Sequence, residues 1–158
     1  SQANPPFDLS SAEAPIYTRS RFLPPSQFDG ATITRSLISD GSTIAEGSRI
    51  ENSVIGLRCR IGKNVTIRNS IVMGCDFYQR PDEIAADKAA GRPLMAIGDG
   101  TLIDKAIIDK NCRIGRNVRI TNERGLANAH DDDAPVLIRD GIVVVPKETT
   151  LADNWRLE

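Results

Sequence analysis

The sequence predicts an all-β chain, a left-handed parallel β-helix of hexapeptide repeats with one short helical insertion, and three observations lead there. Aliphatic residues recur from Ile33 through Ile38, Ile44, Ile50, Ile55, Ile61, Ile67 and Val72, in steps of 5, 6, 6, 5, 6, 6 and 5. Three consecutive steps sum to about 17, so that Ile38 maps onto Ile55 and Val72, and Ile44 onto Ile61. A modest side chain stands four positions after each aliphatic, as at Ser42, Ser48, Val54, Cys59, Val65, Thr101, Cys112 and Val118. A period near six suits neither an α-helix at 3.6 nor a half-buried strand at 2. It suits three short strands per triangular coil, each coil stabilised through its neighbours.

Composition agrees with such a core and excludes several functions. The 158 residues are 40% hydrophobic but only 4% aromatic, so the interior must be built from Ile, Val, Leu and Ala. Twenty Lys and Arg against 21 Asp and Glu leave a net charge of −1, which gives no warrant for a nucleic acid or membrane partner. No apolar run approaches the roughly 20 residues of a membrane span. The polar, proline-rich start lacks the pattern of a signal peptide. Cys59, Cys75 and Cys112 show no metal-ligand spacing and suit a reducing compartment. One histidine, His130, cannot supply a multi-imidazole metal site.

Taken in order, residues 1–28 carry Pro5-Pro6, Pro15 and Pro24-Pro25 interleaved with Phe7, Ile16, Tyr17, Phe22 and Leu23. Proline fixes φ and removes a donor, so this reads as an extended connection lying against other structure. Residues 29–158 form the β-helix domain. Glycine follows the aliphatic at Gly56, Gly62, Gly98 and Gly115, where Gly, Asp or Asn is expected to take the turn. Residues 76–96 interrupt the repeat. Within them Pro81 to Gly91 predicts a short helix, with proline in the first turn, acids at its start and glycine past its end. The repeat resumes at Ile97, Ile103, Ile108, Ile114 and Ile120. Residues 123–136 are a polar, acidic loop whose Asp131, Asp132 and Asp133 lack the alternate spacing of a calcium loop and read as a solvated turn. Ile142 to Val145 and Leu151 then close the coil, with Trp155 placed either to cap it or to meet a partner.

Candidate chemistry is sparse. Neither a phosphate loop nor a nucleophile elbow is present, and no catalytic or metal-ligating residue is assigned. Cys59 and Cys112 fall in the small inward slot and read as packing residues. Cys75, where the repeat breaks, is expected to be more exposed. His130 reads as an exposed loop residue. Cations recur two positions after the aliphatic, at Lys63, Lys105, Lys110, Arg116 and Lys147. Lys110 and Lys147 stand apart, because each lies where the chain leaves or re-enters regular coil. Together they are candidates for half of an anion pocket, with phosphate the obvious ligand.

Four segments carry a resemblance to a known family: Glu13 to Pro25, Ile71 to Tyr78, Ile107 to Asn111 and Asp140 to Lys147. Together they resemble the C-terminal domain of ADP-glucose pyrophosphorylase (glucose-1-phosphate adenylyltransferase), over essentially the whole chain. That enzyme converts ATP and glucose 1-phosphate to ADP-glucose and pyrophosphate in glycogen or starch synthesis. The resemblance implies a regulatory and oligomerisation domain, and it makes Lys110 and Lys147 contacts for phosphorylated effectors or phosphate. Its partners would be a catalytic nucleotidyltransferase domain, absent from these residues, and further copies in a tetramer. This chain would hold no cofactor, the parent enzyme using Mg with ATP, and would reside in the bacterial cytoplasm or the plastid stroma. The alternatives are a free-standing scaffold subunit and a hexapeptide-repeat acyltransferase using His130.

Overall fold

The structure, a computed structural model, describes residues 11–15, 17, 19–131 and 133–157. Pro5, Pro6, Phe7, Ile16, Thr18 and Asp132 lie outside the described residues. From Gln27 onward the chain winds as a three-faced parallel coil. The first face stacks Gln27–Phe28, Thr43–Ile44 and Arg60–Ile61, continues through Ile97 by single bridges, and ends on Arg113–Ile114 and Thr150–Leu151. The second stacks Thr32–Thr34, Arg49–Glu51, Thr66–Arg68, Leu102–Asp104 and Arg119–Ile120. The third stacks Leu37–Ile38, Val54–Leu57, Ile71–Gly74, Ala106–Ile108 and Ile142–Val145. Each unbroken rung pairs residues 17 apart, as Ile33 with Ile50 and Ile50 with Ile67. The first rung already begins at Gln27, inside the stretch read as connection.

The core is the set of aliphatic ladders the spacing predicts. Ile50, Ile67, Ile103 and Ile120 fill one corner, and Ile55, Val72, Ile108 and Val145 another. Ile44, Ile61, Ile97, Ile114 and Leu151 fill the third. The alternation of five and six residues comes from the turns. In every six-residue step the left-handed residue is the third after the aliphatic, as at Gly47 and Asn64. In the five-residue steps it is the second, as at Asn52 and Asn69. One residue fewer in the turn leaves the strand alternation intact, so the small inward side chain is always two before the next aliphatic. Ser53, Ser70 and Ala106 therefore point inward, whereas Val54, expected in that slot, faces outward.

The inward hydroxyls join coil to coil. Ser48 Oγ donates to Gly62 O at 2.7 Å and accepts from Val65 N at 3.0 Å, and Ser42 and Thr101 repeat the pattern. The glycines after the aliphatics serve a purpose other than the one their sequence implies. Gly56, Gly62, Gly98 and Gly115 lack positive φ. A Cβ on Gly98 would instead sit 2.5 Å from the Gly115 backbone, so glycine is required by close approach of adjacent coils.

Both excursions leave the coil and return in register. Ile67 pairs with Ile103, nineteen residues later than an unbroken coil would place the partner, and Ile108 with Val145, twenty later. The first excursion carries α1 (Pro81–Ala89), which starts on proline, with Arg80 N donating to Glu83 Oε2 at 2.8 Å. In the second, Asp131 is a turn former, its Oδ1 accepting from Asp133 N. The excursion returns through Leu137–Arg139, antiparallel to Ile142–Val145 across a tight turn at Asp140-Gly141, both with positive φ. That strand covers the end of the third face. Trp155 packs against the core, and its carbonyl accepts from Arg119 N at 2.9 Å.

Candidate functional site

Lys110 and Lys147 are brought together by the coil itself. Each stands two residues after a ladder aliphatic, Ile108 and Val145, and those two are register partners on adjacent coils. Glu148 N donates to Lys110 O at 2.9 Å, so the two lysines are stacked one strand spacing apart. The ammonium groups converge on one carboxylate, that of Asp76, at the root of the first excursion. Lys110 Nζ lies 2.7 Å from Asp76 Oδ1, and Lys147 Nζ lies 3.4 Å from Oδ2. Asn111, in the left-handed turn slot, completes the cluster. Its Oδ1 accepts from Asp76 N at 2.9 Å, and its Nδ2 donates to Asp76 Oδ2 at 3.2 Å. The Lys110 ammonium, helped by Asn111 and Lys147, holds the Asp76 carboxyl below its ordinary range.

Next to this cluster a cleft of about 520 Å³ is lined by Arg19, Arg21, Leu57, Arg58, Cys75 and Lys110 among others. Arg58 donates to Cys75 O at 3.2 Å, and with Arg60 it lies 5.8 Å from the Tyr78 ring centre. Sequence reasoning missed Arg58, Asp76 and Asn111 as parts of the site. A signal existed for Arg58: it occupies a left-handed turn slot, at φ 57, where glycine or asparagine stands in most of the equivalent turns. Arg19 and Arg21 were visible within a motif but carried no spacing that tied them to Lys110.

The other cations of the same series, Lys63, Lys105 and Arg116, lie on exposed surface away from this cluster, Lys63 paired with Glu46 at 2.7 Å. The three cysteines are all buried. Cys75 thus differs from the exposed position expected of it, because Cys75 N still donates to Leu57 O and the chain leaves the coil only after it. Burial pushes all three thiols up, Cys112 to about 11, which disfavours the thiolate. His130 is exposed within the second excursion. Among the described residues no group of three or more His, Cys, Asp or Glu is gathered as metal ligands would be. Nor is any helix among them long and apolar enough to cross a membrane.

Stacked ladders, seventeen-residue register and corner turns define a left-handed parallel β-helix domain. The family model described as the GLGC left-handed parallel beta-helix domain matches residues 21–155, and the chain belongs to that family. It is accordingly a domain related to glucose-1-phosphate adenylyltransferase, in agreement with the resemblance to the C-terminal domain of ADP-glucose pyrophosphorylase.

Proposed function

We propose that this chain is the regulatory and oligomerisation domain of a glucose-1-phosphate adenylyltransferase, with Lys110 and Lys147 contributing to an allosteric site for phosphorylated effectors. The observation that carries the reading is the convergence of two ammonium groups from adjacent coils on the single carboxylate of Asp76. Two cations held on stacked turns of adjacent coils, within reach of both oxygens of one anion, make a seat for an oxyanion. Arg19, Arg21 and Arg58 around the adjoining cleft add positive charge for a ligand with a second anionic group. Catalysis, with ATP and Mg, belongs in this reading to a partner nucleotidyltransferase domain, and glycogen or starch synthesis is the setting.

The partner domain has a surface suited to it. Outward positions of the first two faces are mostly Thr and charged residues, such as Thr43, Arg60, Thr32 and Arg49. The third face presents the register column Leu37, Val54, Ile71, Ile107 and Val144. Leu37 is 63% exposed and Ile71 44%. A five-rung aliphatic column on one face of an otherwise polar prism supports an intramolecular or subunit interface.

In the complete enzyme, Lys147→Ala is expected to weaken activation by a phosphorylated effector far more than it changes turnover. Loss of one charge-assisted contact corresponds to roughly tenfold or more in activator affinity. Titration of activator against initial rate checks this, and an unaltered activator response overturns the assignment.

A further inference from the structure

In the structure, the seat between Lys110 and Lys147 is held by a group from the chain itself. The Asp76 carboxylate spans both ammoniums with its two oxygens, at 2.7 and 3.4 Å, and the Asn111 side-chain amide holds both that carboxylate and the Asp76 N–H. It is also the point where the first excursion departs from the coil, directly after Cys75 and ahead of α1. The far end of that excursion is fastened independently. Asp87 on α1 pairs with Arg92 at 2.8 Å and with Arg113 of the coil, and Gln79 donates to Asp87 Oδ2 at 2.6 Å. Gln79 Oε1 in turn accepts from Met95 N at 2.7 Å. Residues 76–96 are therefore fastened by charge at an exposed seat, by the Tyr78 hydroxyl donating to Gly41 O at 2.8 Å, and by a largely buried anchor at Asp87.

We propose that Asp76 is a built-in counter-ion at the effector seat, which an incoming phosphate ester must displace, releasing Asp76 from Asn111 at the root of residues 76–96 while Tyr78 and the Asp87 anchor stay fastened. The proposal rests on the reading of Lys110 and Lys147 as effector contacts and adds how that site is regulated and which ligands it favours. A phosphate monoester carries about −1.5 to −2 charge at neutral pH and three acceptor oxygens. It thus has both a charge and an acceptor advantage over the single carboxylate it replaces. A ligand offering only one carboxylate has neither advantage and must compete with a tethered group at high effective concentration. The seat selects phosphate esters over simple carboxylic acids for that reason. Displacement also breaks the reciprocal pair between Asp76 and Asn111, so occupancy is reported in the excursion and not only at the lysines.

The test titrates inorganic phosphate into the chain by calorimetry, with exchange of the Asp76 amide followed alongside that of α1. Asp76→Asn keeps the shape and removes the competing charge; Asp76→Ser, smaller and also neutral, is the second variant should the first fold poorly. The expected result is phosphate binding about three- to tenfold tighter in the neutral variant, the gain abolished by adding Lys110→Gln. In the unaltered chain, phosphate is expected to speed exchange at the Asp76 amide and leave α1 protected. Equal or weaker binding by both neutral variants, with Lys110→Gln still weakening the unaltered chain, overturns the counter-ion and leaves the effector seat standing. Phosphate binding that does not depend on Lys110 in any of these proteins, or no binding at all, overturns both.

Discussion

Asn52, Asn69 and Lys105 occupy the same corner on successive coils, each in the left-handed region at φ 47, 51 and 52. Asparagine tolerates that region because its short amide bonds locally, and here the amides form a column. Asn52 Nδ2 donates to Asn69 Oδ1 at 3.0 Å, and Asn69 Nδ2 to Asp104 Oδ1 at 3.0 Å. Lysine has no such compensation, and a non-glycine residue in this region costs about 1–2 kcal/mol. Lys105→Asn is expected to stabilise the fold by about 0.5–1 kcal/mol, read as a raised midpoint in thermal or denaturant unfolding. A lowered midpoint contradicts the corner argument. The aliphatic ladders and the inward cysteines Cys59 and Cys112 were legible residue by residue, since a ladder repeats one environment. The glycines after the aliphatics were legible only as a pattern. Their cause is a contact with a neighbouring coil, which no local rule of turn chemistry contains.

At the scale of elements, α1 is attached by charge more than by apolar area. Its buried side chain is Asp87, held by Arg113, Gln79 and Arg92. Those partners, Arg113 foremost, hold the Asp87 carboxyl below its ordinary value. A depressed carboxyl contributes stability that is present above its unfolded pKa of about 3.9 and is lost as pH falls through the folded value. Docking of α1 is therefore expected to weaken below about pH 4, seen as faster amide exchange across Pro81–Ala89 while the coil strands stay protected. Asp87→Asn is expected to flatten that dependence, and an unchanged acid profile in the variant removes Asp87 as its cause. Helix and proline start were readable from sequence, but the anchor was not, because Arg113 arrives from a strand 26 residues later. The hairpin through Leu137–Arg139 was missed although Asp140-Gly141 is a strong two-residue turn signal. The hexapeptide spacing drew attention to Ile142 to Val145 as coil, and a strand running against the coil direction breaks that spacing.

For the whole molecule, the prism has two polar faces and one aliphatic face, and the cluster of Asp76, Lys110 and Lys147 lies on the turn that leaves the aliphatic face after Ile108 and Val145. A domain seated on that face would stand beside the lysines. Ile71→Glu places a charge at the middle of the exposed column while the inward ladder residue Val72 is untouched. The β-helix is expected to unfold at nearly the same midpoint, and the complete enzyme to lose interdomain or subunit association in sedimentation. Retained association with full activator response removes the third face from the interface.

The seventeen-residue register that carries the core is also a rule about what the chain can tolerate. Nineteen extra residues in one place and twenty in another add nothing to the length of the rod, because each detour returns to the rung it left. A slip of a single residue within a coil would instead turn a ladder aliphatic to solvent. The rod thus works as a fixed scale and its detours as free text. A site placed where a detour joins the rod, as Asp76 is beside two lysines on unbroken turns, inherits rigidity from one side and licence to vary from the other.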